Sequence, residues 1–107
     1  MNFKLEGSLN GKIGANMVQD TIKALNDPVR RKILDLLKEK PLSVGDILSQ
    51  LDVTGATLSH HLKILKGAGL VTSERQGNFL IYDVNTSVME DIISWLTSFS
   101  KVKGDEK

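Results

Sequence analysis

The chain has no cysteine among its 107 residues. Disulfides and thiolate metal centres are therefore excluded, and the composition fits a reducing compartment. Aromatic residues make up only 5%, so leucine, isoleucine and valine must fill any core. Neither sign of charge dominates. The formal net charge is +1, and an electrostatic footprint, if there is one, must come from how charges are placed. No apolar run approaches the ~20 residues that a membrane span needs. The N-terminus lacks the apolar stretch of a secretory signal. A cytoplasmic protein with no membrane insertion is expected.

What is present fits one domain on size. Hydrophobic residues at 40% allow a modest core, to which an extra buried interface would add stability. Residues 1–16, MNFKLEGSLNGKIGAN, carry three glycines and no helical period. They read as a flexible leader of the kind an expression vector adds, with Met17 as a natural start. The alternative is a natural arm that packs on a partner subunit. Residues 17–107 form the folded domain.

Residues 18–26 read as a short helix with Val18, Ile22 and Leu25 on one face. Asp27-Pro28 ends it, because the residue before proline is pushed out of the helical region and proline suits the next first turn. The following run, PVRRKILDLLKEK, has an apolar stripe at Val29, Ile33, Leu36 and Leu37. Lys40-Pro41 stops it. Ser43 is placed to cap a third helix with Asp46 in its first turn and Ile47, Leu48 and Leu51 as its apolar residues. A polar turn, Asp52-Val53-Thr54-Gly55, leads to a fourth helix from about Ala56 to Lys66, closed by Gly67 and Gly69.

From Leu70 the period changes. LVTSER and FLIYDV are strand-like runs flanking Gln76-Gly77-Asn78, a hairpin turn in which glycine accepts positive φ. Residues 85–87 start a last helix, with Ser87 and Glu90 at capping-box spacing. Its apolar residues, among them Met89, Ile92, Ile93, Trp95, Leu96 and Phe99, cover more than a narrow stripe. Residues 101–107 are charged and expected to fray. The order α-α-α-α-β-β-α is mainly helical with a small hairpin, that of a winged helix-turn-helix.

The stretch LDVTGATLSHHLKILKGAGL, residues 51–70, organises the rest. At ~100° per residue, Leu58, Leu62 and Leu65 cluster on one side with His61 on the flank. Ala56, Ser59, His60, Lys63 and Gly67 point away, and Thr54 and Thr57 stand at the helix start. Such a helix can be held by its core face while the outer face enters a DNA major groove. Hydroxyls and imidazole bond base edges or phosphates, and the amides of a helix N-terminus favour phosphate. Lys63 and Lys66 can reach the DNA backbone. Arg75 and Asn78 flank the hairpin tip, and Arg30 and Arg31 begin the second helix; all four are candidate DNA contacts. Residues 28–68 hold seven Lys or Arg against four Asp or Glu, a local excess of three that fits phosphate contact only weakly.

Other chemistries fare worse. His60 and His61 diverge by ~100° and cannot easily chelate one ion. Ser59, His60 and Asp52 name the members of a hydrolytic triad, but nothing places them together and no nucleophile elbow is present. Neither a catalytic residue, a metal site nor a cofactor is expected. Arg30-Arg31-Lys32 is equally a solvated face. The rival reading is a winged-helix module for protein interaction with no DNA role, which would more often expose aromatics on the fourth helix and the wing.

The stretches DPVRRKILDLL, TLSHHLKILKGAGLV and ERQGNFLIYDV, in this order, resemble the ArsR/SmtB family of bacterial winged-helix repressors over roughly residues 17–100. The resemblance implies a homodimer that binds an inverted-repeat operator and represses transcription. It also implies that the first and last helices build the dimer interface. Val18, Ile22, Leu25, Met89, Ile92, Trp95, Leu96 and Phe99 are the residues compatible with that. Metal-sensing members carry paired cysteines where this chain has Ser43 and Gly45. A second family site uses histidine and carboxylates on the last helix, where this chain has Glu90 and Asp91 but no histidine. Adjacent carboxylates on a helix do not face each other and make a poor site for a soft metal. The chain is thus similar to the metal-independent, SdpR-like branch, in which a regulatory protein partner is a precedent.

Overall fold

The computed structural model describes residues 15–105, with side chains described for residues 16–100. The expected leader lies outside the described residues except for its last two, which already belong to a helix. The element order is α1 (Ala15–Leu25), α2 (Pro28–Leu37), β1 (Leu42–Ser43), α3 (Val44–Leu48), α4 (Gly55–Gly67), β2 (Val71–Gln76), β3 (Phe79–Val84) and α5 (Thr86–Asp105).

The corner between α1 and α2 is built by Asp27. Its backbone is extended, and its Oδ1 accepts the N–H groups of Val29 at 2.8 Å and Arg30 at 3.1 Å. These are two of the amides a helix start leaves without partners. Helix α2 stops at Leu37, three residues before the expected end at Lys40. Pro41 keeps its predecessor out of the helical region, and Leu42 is needed in a strand.

That strand, β1, was not legible in the sequence. It pairs antiparallel with β3 (Leu42 with Tyr82, Ser43 with Ile81), giving a three-stranded sheet of order β1-β3-β2. Two residues cannot show an alternating pattern. Ser43 then caps α3 as expected, its Oγ accepting the Asp46 N–H at 3.1 Å. Helix α3 is only five residues long, and Leu51 lies beyond its end, half-buried against the core.

Helix α4 closes through Gly69 (φ +79°) rather than Gly67. The Gly69 N–H donates to Lys66 O at 2.9 Å and the Leu70 N–H to Leu65 O at 3.0 Å. This pair of bonds is a Schellman closure, which needs a left-handed residue at that position. The hairpin β2–β3 runs in register from Val71 opposite Val84 to Gln76 opposite Phe79, with Gly77 (φ +66°) in the two-residue turn. Helix α5 begins differently from expectation. Asn85, not Ser87, supplies the cap: its Oδ1 accepts the Val88 N–H at 3.3 Å. The helix continues to Asp105, so residues 101–105 are helical where fraying was expected.

The core lies between the helices and the sheet. Ile33, Leu37, Ile47, Leu58, Leu65, Leu70 and Val71 are fully buried. Truncating such a leucine to alanine costs about 2–5 kcal/mol.

Candidate nucleic-acid interface

Helix α4 presents two chemically distinct faces. Leu58, His61, Leu62 and Leu65 are buried, while Ala56, Thr57, Ser59, His60, Lys63 and Lys66 are exposed. The inner face packs into the core; the outer face carries hydroxyl, imidazole and ammonium groups and no acidic residue. The turn before it ends at Thr54, whose Oγ1 accepts the Thr57 N–H at 3.1 Å. The Thr54 hydroxyl in turn donates to Thr57 Oγ1 at 3.0 Å. Both threonine hydroxyls keep an exposed side from which they can still bond a phosphate or a base edge.

The wing is tied to this helix. Lys66 Nζ donates to Ser73 Oγ on β2 at 2.6 Å, so Lys66 also has a local partner within the protein. Arg75 and Asn78 are exposed at the wing's end. Beside them stands Phe79, 63% exposed. Its period-2 position in FLIYDV gave no signal for that exposure, because the strand tip extends past the body that covers the rest. The aromatic at the wing is the kind of residue the protein-interaction reading would favour, whereas the outer face of α4 carries none.

Arg30 requires a correction. Its place at the start of α2 suggests phosphate contact, but it is only 8% exposed. Its Nε donates to Ala24 O at 2.7 Å and its NH2 to Lys23 O at 3.2 Å; its NH1 lies 3.2 Å from His61 Nδ1. The guanidinium satisfies the carbonyls that the last turn of α1 leaves without intrahelical partners, and a cation there complements the helix dipole. Arg31 is exposed, yet its NH1 also donates to α1, to Leu25 O at 2.6 Å. The basic run at the start of α2 is thus largely a clasp on the end of α1. Burial tends to raise the Asp27 carboxyl pKa. Hydrogen bonds from the Arg30 and Val29 N–H groups, with the Arg30 charge, outweigh that and hold it below the ordinary carboxylate value.

His60 and His61 lie with ring centroids 5.8 Å apart, one outside and one inside. Ser43 and Gly45 do not fit a metal: the Ser43 hydroxyl is occupied as a helix cap and Gly45 has no side chain to ligate. Among the described residues no three His, Asp or Glu side chains group to hold an ion. None of the described helices is long and apolar enough to cross a membrane.

A second surface lies between α1 and α5. An apolar cleft of about 160 Å³ is lined by Val18, Thr21, Ile22, Leu25, Ile92, Trp95 and Leu96. Ile22, Leu96 and Phe99 are 63%, 54% and 58% exposed, joined by Ile93 at 56%. Trp95 and Phe99 pack edge to face at 5.3 Å. Met89 is half-buried and packs on the core. Exposed apolar side chains grouped in this way mark an interaction surface.

A helix-turn-helix with a polar outer face, followed by a β-hairpin wing, defines a winged helix-turn-helix protein. A family model described as "Bacterial regulatory protein, arsR family" matches residues 27–73. The chain is 43% identical over 88 residues to the transcriptional repressor SdpR of Bacillus subtilis, covering 82% of this chain and 97% of that relative. It is 40% identical over 72 residues to an arsenical resistance operon repressor of Staphylococcus aureus, covering 67% of this chain and 69% of that one. Among solved structures it is similar to a homodimeric winged helix-turn-helix DNA-binding domain from Mycobacterium bovis. The TM-score is 0.65 at 30% identity, over 85% of this chain and 81% of that one. The chain belongs to the ArsR family of bacterial regulatory proteins, which are transcriptional regulators and not enzymes.

Proposed function

We propose that this protein is a sequence-specific transcriptional repressor that binds an inverted-repeat operator as a homodimer in the cytoplasm. The observation that carries the reading is the exposed polar face of α4 above a fully packed inner face. Thr54, Thr57, Ser59, His60 and Lys63 contact the major groove or its flanking phosphates, and Lys66 and Arg31 reach the backbone. Arg75 and Asn78 at the wing meet the adjacent minor groove, where Phe79 lies against sugar or a base step. The apolar surface of α1 and α5, with Ile22, Leu96 and Phe99 exposed, closes against a second copy. That closure sets the half-site spacing.

Control is independent of a transition metal. The chain has no thiolate, and neither Ser43 nor Gly45 offers a ligand. A regulatory protein partner is the alternative means of release. A gel shift with the DNA upstream of the protein's own gene tests the reading. Specific retardation that weakens steeply with added salt is expected; absence of any specific complex would leave only the protein-interaction reading.

A further inference from the structure

One guanidinium joins three helices. Arg30 of α2 donates to the Ala24 and Lys23 carbonyls at the end of α1 and sits 3.2 Å from His61 Nδ1 on α4. Arginine has only donors, so a hydrogen bond between the two makes Nδ1 the acceptor and puts the ring proton on Nε2. Both side chains are 8% exposed. The Arg30 main chain is itself fixed by the Asp27 carboxylate at 3.1 Å. The donor fork is therefore held from two sides before it reaches α4.

The rest of the α4 inner face is leucine: Leu58, Leu62 and Leu65. Apolar burial gives α4 its depth but has no preferred direction. A hydrogen bond is directional. A directional bond at His61 can set the rotation of α4 about its own axis, and His60 and Ser59 adjoin His61 in the chain. We propose that Arg30 and His61 are positioning residues for DNA reading, which register the outer face of α4 to the end of α1. This rests on the assignment of α4 as the reading helix. Since α1 belongs to the surface proposed to close the dimer, the same bond carries half-site geometry from the dimer contact to the reading head.

The test separates specific from non-specific binding. Phosphate attraction tolerates small rotations of α4, whereas base-edge bonds do not. Two duplexes of equal length are used, one enriched from random sequence by the parent protein and one random. His61→Leu removes the acceptor. It is expected to bind the enriched duplex about tenfold or more weaker, bind the random duplex as the parent does, and keep its association state in sedimentation. His61→Asn places an oxygen near the position of Nδ1 and is expected to restore most of the loss. Arg30→Lys keeps the charge but not the fork, and gives the same selective loss should His61→Leu fail to fold. A long-range 15N–1H spectrum of the parent should show Nδ1 without a proton. Equal binding of the enriched duplex by the folded His61→Leu or Arg30→Lys variant overturns the proposal, as does a proton on Nδ1. If the parent enriches no sequence at all, the reading-head assignment itself fails, and this inference with it.

Discussion

Lys66 Nζ donates to Ser73 Oγ at 2.6 Å, which ties the last turn of α4 to the first half of the wing. The bond is exposed, so it contributes little to stability. It leaves the ammonium two further donors facing solvent. Lys66→Ala is expected to weaken DNA binding across sequences and to lower the slope of log K against log salt by about 1. Ser73→Ala should leave that slope unchanged. Binding isotherms at several salt concentrations check both.

The outer face of α4 should behave differently. His60→Ala and Ser59→Ala are each expected to cost about 1–3 kcal/mol of binding to the enriched site and to relax base preference there. Both residues are exposed, so thermal unfolding of the two variants should match the parent. Parent-like affinity in both would remove α4 from the DNA interface.

The surface of α1 and α5 gives a separate prediction. Leu96→Glu puts a charge among apolar side chains that are 54–63% exposed in the single chain. The variant is expected to sediment as a monomer and to lose operator binding while it stays folded. An unchanged association state would place the dimer contact elsewhere.

Asp27 makes stability depend on pH. Its folded carboxyl is held below the ordinary value, so its contribution is present above the unfolded value and is lost as pH falls through the folded one. Urea midpoints should decline on acidification through that window. Asp27→Ala removes the cap, is expected to cost about 0.5–2 kcal/mol at neutral pH, and should flatten the decline.

Gly69 closes α4 at φ +79°. Space is not the obstacle, since a Cβ there would meet Val88 Cγ2 at 3.9 Å. Backbone strain is, and Gly69→Ala should destabilise the fold by about 1–2 kcal/mol in urea titration.

Much of the architecture was legible in the sequence because its signals are local. The stripe at Ile33 and Leu37, the spacing of Leu58, Leu62 and Leu65, and the Gly77 turn all read directly as buried faces and a hairpin. Placement of His61 on the inner flank of α4 was legible for the same reason. What escaped depends on distant partners. Strand β1 exists because Tyr82 and Ile81 pair with it. Asn85 displaced Ser87 as the α5 cap because its own N–H is already fixed to Leu70 O at 2.9 Å, where the hairpin ends. Arg30 looked like a surface cation because nothing in the run RRK says which arginine turns inward. The fold decides that by bringing the end of α1 beside it.

The central claim is that a dimer of this chain reads two inverted half-sites through α4. Enrichment of bound duplexes from random DNA, followed by sequencing, addresses it directly. One enriched motif with two-fold symmetry is expected, with half-sites one helical turn, or a multiple of it, apart. The His60→Ala variant should enrich that motif poorly. Enrichment of no motif, or of a single unsymmetric half-site, would contradict it.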